Sequence, residues 1–248
     1  MRILIANDDG IDAPGIALAE KAALKLTDDV WVVAPEEKRT AAGSSLTVGH
    51  PLTMTKTSLQ RYSCSGTPAD CVVTAMTWLF KDQKQPDLVL SGVNDGPNVA
   101  EDVAYSGTLG ISREATFWNI PAIGMSRLKN PVRADGDADY LARLIGQLWE
   151  QRQDWILDGH WMSINLPATL PAPIRQAKIG RDKIASSSDV IITDGTRTDL
   201  MVPRGRPGKG SNGDENELMA QGFATLTRLS WLGHTDVADA VIKKLSYT

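Results

Sequence analysis

Short apolar runs, each closed by polar residues, constrain the fold of this chain more than any other feature. They are Ile3-Leu4-Ile5-Ala6, Val30-Trp31-Val32-Val33-Ala34, "PDLVLSG" (86–92), "IPAIGMS" (120–126) and "WMSINLP" (161–167). The first two are continuously apolar rather than alternating, as strands are when both sheet faces are covered. Helical patterns lie between the runs. Residues 14–26 carry Ile16, Ala19, Ala22, Ala23 and Leu26, with Pro14 near the start. "SGTPADCVVTAMTWLF" opens with Thr67 as N-cap, Pro68 at the first helical position and Asp70 three residues after the cap. Ser106 caps a helix running to about Trp118, and 137–152 is amphipathic through Tyr140, Leu141, Leu144, Ile145 and Leu148. Strands alternating with helices predict an α/β fold: a Rossmann-like, doubly wound, mostly parallel sheet.

The rhythm breaks after residue 170. "PRGRPGKGSNGDEN" (203–216) reads as a mobile loop, "GFATLTRLSWL" as a strand and 235–245 as a final helix. We therefore expect one domain over 1–248. Its Rossmann-like core covers about 1–170, and a C-terminal β/α appendage of about 171–248 serves oligomerisation.

Bulk properties exclude several classes. With 248 residues and a net charge of −4, nothing favours a nucleic-acid polymer or an anionic membrane. Cys64 and Cys71 are too few for a disulfide scaffold or a zinc site, and His50, His160 and His234 are far apart. There is no signal-peptide pattern and no apolar run of about 20 residues. A cytoplasmic, reduced protein is expected.

The first strand ends in Asn7-Asp8-Asp9-Gly10, two adjacent carboxylates at the edge of a core. Open parallel sheets bind ligands beyond the carboxyl ends of their strands. The loops there supply Asp8 and Asp9, the hydroxyls of Thr40, Ser44 and Ser45, the amides of Asn7, Asn94 and Asn98, and Gly-rich backbone. An all-oxygen set suits Mg²⁺, Mn²⁺ or Ca²⁺, and a cation would offset the carboxylate repulsion. The plain alternative for Asp-Asp-Gly is a surface turn. Ser106-Gly107-Thr108 begins a helix, so it is either a ready anion site or a simple N-cap. Asp70 reads as a helix-start carboxylate.

Other motifs fail. "RPGKGS" is no P-loop, since Pro203 stands where the first Gly belongs and Gly210 follows Lys209. No G-x-G-x-x-G follows the first strand, and "LTVGHPL" holds no nucleophile elbow. A signalling receiver needs an Asp where Ser91-Gly92-Val93-Asn94 stands; a haloacid-dehalogenase phosphatase needs Asp-x-Asp.

Five motifs in order, "RILIANDDGIDAPGI", "VVAPEEKRTAAGSSLT", "GTPADCV", "DLVLSGVNDGPNVAEDVAYSGTLG" and "NIPAIGMS", make the chain resemble the SurE family. The resemblance covers roughly 1–126 and continues more faintly through "INLP", "PRGR" and "QGFATLTRL". It implies a metal-dependent phosphatase acting on nucleoside 5′- and also 3′-monophosphates or similar small phosphomonoesters. It implies one divalent cation per subunit, Mg²⁺ or Mn²⁺, with Ca²⁺ as a crystal substitute. Its ligands would be Asp8, Asp9, Thr40 and Asn94, with Asp8 or Asp9 accepting a proton from water. Asn98, Ser106, Gly107 and Thr108 would hold phosphate. A homodimer or homotetramer is implied, with C-terminal elements reaching across. The chain departs from the family pattern at Thr40 (usually Ser), Ser44 (commonly His), and Ala100 and Ala115 (usually Gly). The alternative is therefore a divergent nucleotide-binding paralogue with little or no turnover.

Overall fold

A computed structural model describes residues 1–129, 131–181, 187–203, 211–233 and 238. Its centre is a nine-stranded sheet. In chain order the strands are β1 (Ile3–Ala6), β2 (Val30–Pro35), β3 (Met54–Ser58), β4 (Arg61–Cys64), β5 (Leu88–Asp95), β6 (Ala122–Arg127), β7 (His160–Leu166), β8 (Ile174–Gln176), β9 (Asp189–Asp194), β10 (Arg197–Met201) and β11 (Ala224–Ser230). The spatial order is β3-β4-β2-β1-β5-β6-β7-β11-β8, with β9 and β10 forming a separate two-stranded ribbon. The run β4-β2-β1-β5-β6-β7 is parallel throughout; β3 and β11 pair antiparallel with β4 and β7. This is the doubly wound α/β sheet that the apolar runs predict.

The continuous strands supply both faces of the sheet. Ile3 and Ile5 point to one core with Ile16, Ala19, Ala22 and Ala23 of α1 (Pro14–Ala23) and Leu141 and Ile145 of α5 (Asp137–Glu150). Leu4 and Ala6 point to the other, with Val72 of α2 (Pro68–Thr74) and Leu109, Ile111 and Ala115 of α4 (Gly107–Phe117). Each Ile, Leu or Val side chain buried here contributes about 1.5–3 kcal/mol.

The local signals act as expected. Pro14 opens α1, and Thr67 with Asp70 forms a reciprocal capping box on α2. Ser106 caps α4 by accepting from the Leu109 N–H at 3.0 Å.

Several segments differ from the expectation. β5 runs on to Asp95, so Asn94 stands on a strand end rather than in a loop, because β6 continues beside it to Arg127. The turn α3 (Asp102–Tyr105) interrupts the polar segment before α4. "SSLTVGHPLTMTK" (44–56) and "RYSCSG" (61–66) read from sequence as short strands joined by a hairpin or loop; of the first, the strand takes only Met54 onward. After residue 170, β8, β9, β10 and the helix α7 (Glu215–Ala220) are additional elements. Residues 204–210 of the expected loop and nearly all of the expected 235–245 helix lie outside the described residues.

Candidate active site

β1 is followed by β2 on one side, whereas its other neighbour is β5. The chain therefore changes direction across the sheet between β1 and β5. Such a switch point opens a crevice at the carboxyl ends of the strands. Asp8 and Asp9 follow β1 and Asn94 ends β5, so the sequence-predicted residues meet there.

Asn7 braces the turn. Its side chain donates to the Gly10 carbonyl at 2.8 Å and accepts from the Gly10 N–H at 3.2 Å. Asp8 is buried, and the Thr108 hydroxyl donates to its Oδ1 at 2.6 Å. Burial, the Thr108 bond opposing it and the Asp9 charge adding to it leave Asp8 pushed up from 3.8 to about 6. Gly107 packs directly on this carboxylate; a Cβ there would stand 2.7 Å from the Asp8 Cβ. Asp9 turns outward. Its Oδ2 accepts from the Asp95 N–H at 3.0 Å, and Lys38 Nζ contacts Oδ1.

Thr40 is exposed, one residue beyond Arg39, whose N–H donates to the Asp8 carbonyl at 2.7 Å. Its loop is pinned beyond that point: Thr47 donates twice to Asp70, and the Gly43 N–H to the Tyr105 carbonyl. Asp70 thus caps α2 and also anchors this loop. Asn94 Nδ2 donates to the Gly96 carbonyl at 2.8 Å, which leaves its side-chain oxygen as an acceptor.

On the phosphate side, the Ser106 hydroxyl is spent on its cap and that of Thr108 on Asp8. The N–H groups of Gly107 and Thr108 have no protein acceptor among the described residues. These are the open donors of the first turn of α4. Asn98 is buried: Nδ2 donates to Ser126 Oγ at 2.7 Å, and its backbone pairs with both ends of the Asn165 amide, at 2.8 and 3.0 Å.

The sequence reading missed Asn165, although it lies within "INLP". It also missed Lys38 and Arg113. Arg113 Nη1 donates to Ser44 Oγ at 3.0 Å; its guanidinium lies over the Trp161 ring, and burial pushes its pKa down. Helical spacing on α4 was the available signal for Arg113; nothing local marked Lys38.

Comparison with known proteins identifies the family. The family described as Survival protein SurE matches residues 3–189. The chain belongs to the SurE family. The protein called 5′-nucleotidase SurE of Paramagnetospirillum magneticum is 41% identical over 199 residues, covering 77% of this chain and 74% of that one. Its counterpart in Hyphomonas neptunium is 33% identical over 248 residues, covering 92% of each. The crystal structure of the SurE protein from Aquifex aeolicus superposes with a TM-score of 0.78 at 28% identity, covering 99% of this chain and 98% of that one. This SurE-family chain therefore shares its fold across nearly its whole length.

Among the described residues no three His, Cys, Asp or Glu side chains gather as a metal cluster. The structure brings together two carboxylates and the Asn94 amide oxygen at the strand ends, and leaves the expected fourth donor, Thr40, exposed with no side-chain contact to them. One observation fits a hard cation: burial and the neighbouring Asp9 charge push the Asp8 carboxyl up to about 6, a strain that a cation there would relieve, while the Lys38 ammonium on Asp9 competes for the same place. Among the described residues no helix is long and apolar enough to cross a membrane.

Proposed function

We propose that this chain is a metal-dependent nucleotidase that releases phosphate from nucleoside 5′-monophosphates and also from 3′-monophosphates. One observation carries the reading. The buried Asp8 carboxylate packs against the same helix start whose Gly107 and Thr108 N–H groups are open to an anion. A phosphate seated there would face a carboxylate of its own sign. A cation held by Asp8, Asp9 and Asn94, with Thr40 completing the set, reconciles the two charges.

Bound there, a divalent cation such as Mg²⁺ or Mn²⁺ lowers the pKa of water and polarises a phosphoryl oxygen. The chain's own residues do the rest. The α4 N–H groups and dipole stabilise charge growing on the phosphoryl oxygens. Thr108 orients Asp8, and Asn165 with Ser126 fixes the Asn98 loop beside it. Asp8 or Asp9 accepts the proton of the attacking water.

A second reading, nucleotide binding with little turnover, is favoured by the Lys38 contact on Asp9, which opposes a metal. Phosphate release from 5′- and 3′-monophosphates, with and without Mn²⁺ or Mg²⁺, separates the two. Metal-dependent release that Asp9→Asn abolishes supports the nucleotidase. Metal-assisted binding without release supports the second reading, and metal-independent release refutes both metal roles.

The β9–β10 ribbon supports oligomerisation as a dimer or tetramer. Val190, Ile191, Ile192, Leu200 and Met201 are all exposed on it, more apolar surface than a lone ribbon sustains. The free cysteines support a reducing, cytoplasmic setting.

A further inference from the structure

A cleft of about 740 Å³ starts at Asp9 and Asn94 and runs between α1 and the segment following β6. That volume lies in the upper half of the range for small-molecule sites, roughly 300–1,000 Å³. On the opposite side Asp8 is closed by the Gly107 backbone. A phosphate held at Asp9 and Asn94, as the nucleotidase reading requires, borders this cleft, which is open to its remaining substituent.

Its walls have a definite chemistry. Pro14, Ala17 and Leu18 of α1 face Leu128 and Pro131. α1 sits flush against the end of β5 because residue 15 is Gly; a Cβ there would lie 1.8 Å from the Val93 carbonyl oxygen. No aromatic side chain lines the cleft among the described residues, so there is no stacking platform to select a base. The charges are divided along its length. Near the mouth, Asp9 is met by Lys38 and Asp95 stands beside it; deeper, Asp137 is held by Arg127 at 2.7 Å. That leaves Lys21 and Arg133, both exposed, with no ion pair or side-chain hydrogen bond to another described residue. Lys21 stands two turns, about 10 Å, further along α1 than Pro14.

We infer that this cleft seats the leaving nucleoside and that Lys21 and Arg133 bind a second phosphate on its ribose, making a nucleoside 3′,5′-bisphosphate a preferred substrate. The inference rests on the nucleotidase reading for the position of the scissile phosphate. The aliphatic walls accept the ring system with little regard to base. Lys21 lies two turns along α1 beyond Pro14, so the second anion is set off from the scissile phosphate, as a ribose spaces the two phosphates of a 3′,5′-bisphosphate.

The experiment compares AMP, adenosine 3′,5′-bisphosphate and ADP as substrates, with products resolved by chromatography. For 5′-phosphate release, kcat/KM is expected to be about tenfold higher for the bisphosphate than for AMP, as two cations on one phosphate can supply. The ratio should fall to about one in the Lys21→Ala, Arg133→Ala double variant and persist in Lys21→Arg, Arg133→Lys. It should also shrink as salt is raised, since both cations face solvent. An equal ratio in wild type and double variant overturns the inference, and so does a tenfold gain with ADP. If no nucleotide is turned over, the nucleotidase reading fails, and dissociation constants from calorimetry decide the cleft separately. Tighter bisphosphate binding that the double variant loses retains it; equal binding of AMP and bisphosphate removes it.

Discussion

Replacing Asp8 by Asn should stabilise the metal-free protein, and by an amount that depends on pH. Asp8 has a folded pKa of about 6 against an ordinary 3.8. The folded state therefore holds this proton more firmly than the unfolded chain does. Where the native state binds more protons, stability falls as pH rises. The loss begins near the unfolded value and is complete above the folded one. A shift of about 2 units corresponds to about 3 kcal/mol, fully expressed at pH 7.5 and reduced to about 1 kcal/mol at pH 4.5. Asn carries no charge to desolvate, and its Oδ1 still accepts the Thr108 hydroxyl.

Urea unfolding of both proteins in chelator measures this. Asp8→Asn should be more stable by about 3 kcal/mol at pH 7.5 and by about 1 kcal/mol at pH 4.5. At the higher pH its melting temperature should rise by roughly 5–10 °C for a chain of this size. Adding Mn²⁺ should narrow the gap, because a cation that binds the native carboxylates stabilises wild type more than the variant. A difference that is the same at both pH values, or a variant less stable at both, would refute burial of an ionised Asp8 as the source.

Gly107→Ala places a Cβ 2.7 Å from the Asp8 Cβ, so the carboxylate must move; phosphate release should drop on the order of a hundredfold, and urea unfolding should show a loss of about 1–3 kcal/mol from overpacking. Arg127→Met leaves Asp137 buried without its partner and frees the carbonyls of Val132 and Ala168; urea unfolding should show a loss of about 3–5 kcal/mol. Asn165→Ala removes both backbone bonds to Asn98; about 2 kcal/mol of stability should be lost, with faster amide exchange in residues 96–100.

The parts of this molecule legible in sequence are those whose cause is local. A strand covered on both faces must be apolar at every position, so β1 and β2 announce themselves. A helix start needs its cap within three residues, so Thr67, Asp70 and Ser106 could be placed on side-chain chemistry. Polar residues after such strands can be gathered by rule, which is how Asp8, Asp9 and Asn94 come to one crevice. What stayed hidden is set by distant partners. Asn98 reads as a phosphate contact, yet its side-chain nitrogen is tied to Ser126, 28 residues on, and its backbone to Asn165, 67 residues on. The length of β5 is set by β6, not by its own turn residues. The β9–β10 ribbon has mixed composition and buries almost nothing against the described chain, so no core-facing period marks it.

Ser44 stands where the family commonly has His, so a general-acid role at that position is not available to this chain. In three dimensions the hydroxyl accepts from Arg113, 69 residues away on α4, so a guanidinium stands beside that position. The two cations are not equivalent. Imidazole titrates near neutral pH and can give up a proton, whereas guanidinium stays charged and cannot act as an acid. Arg113 has no carboxylate partner among the described residues, and its Nε is buried without an acceptor. A charge held that way is stabilised by an anion nearby more than by the protein around it. On the proposed nucleotidase reading, this corner keeps a positive charge and offers no proton donor. Protonation of the leaving oxygen would then fall to water or to the Asp8–Asp9 pair, the two adjacent carboxylates that follow β1.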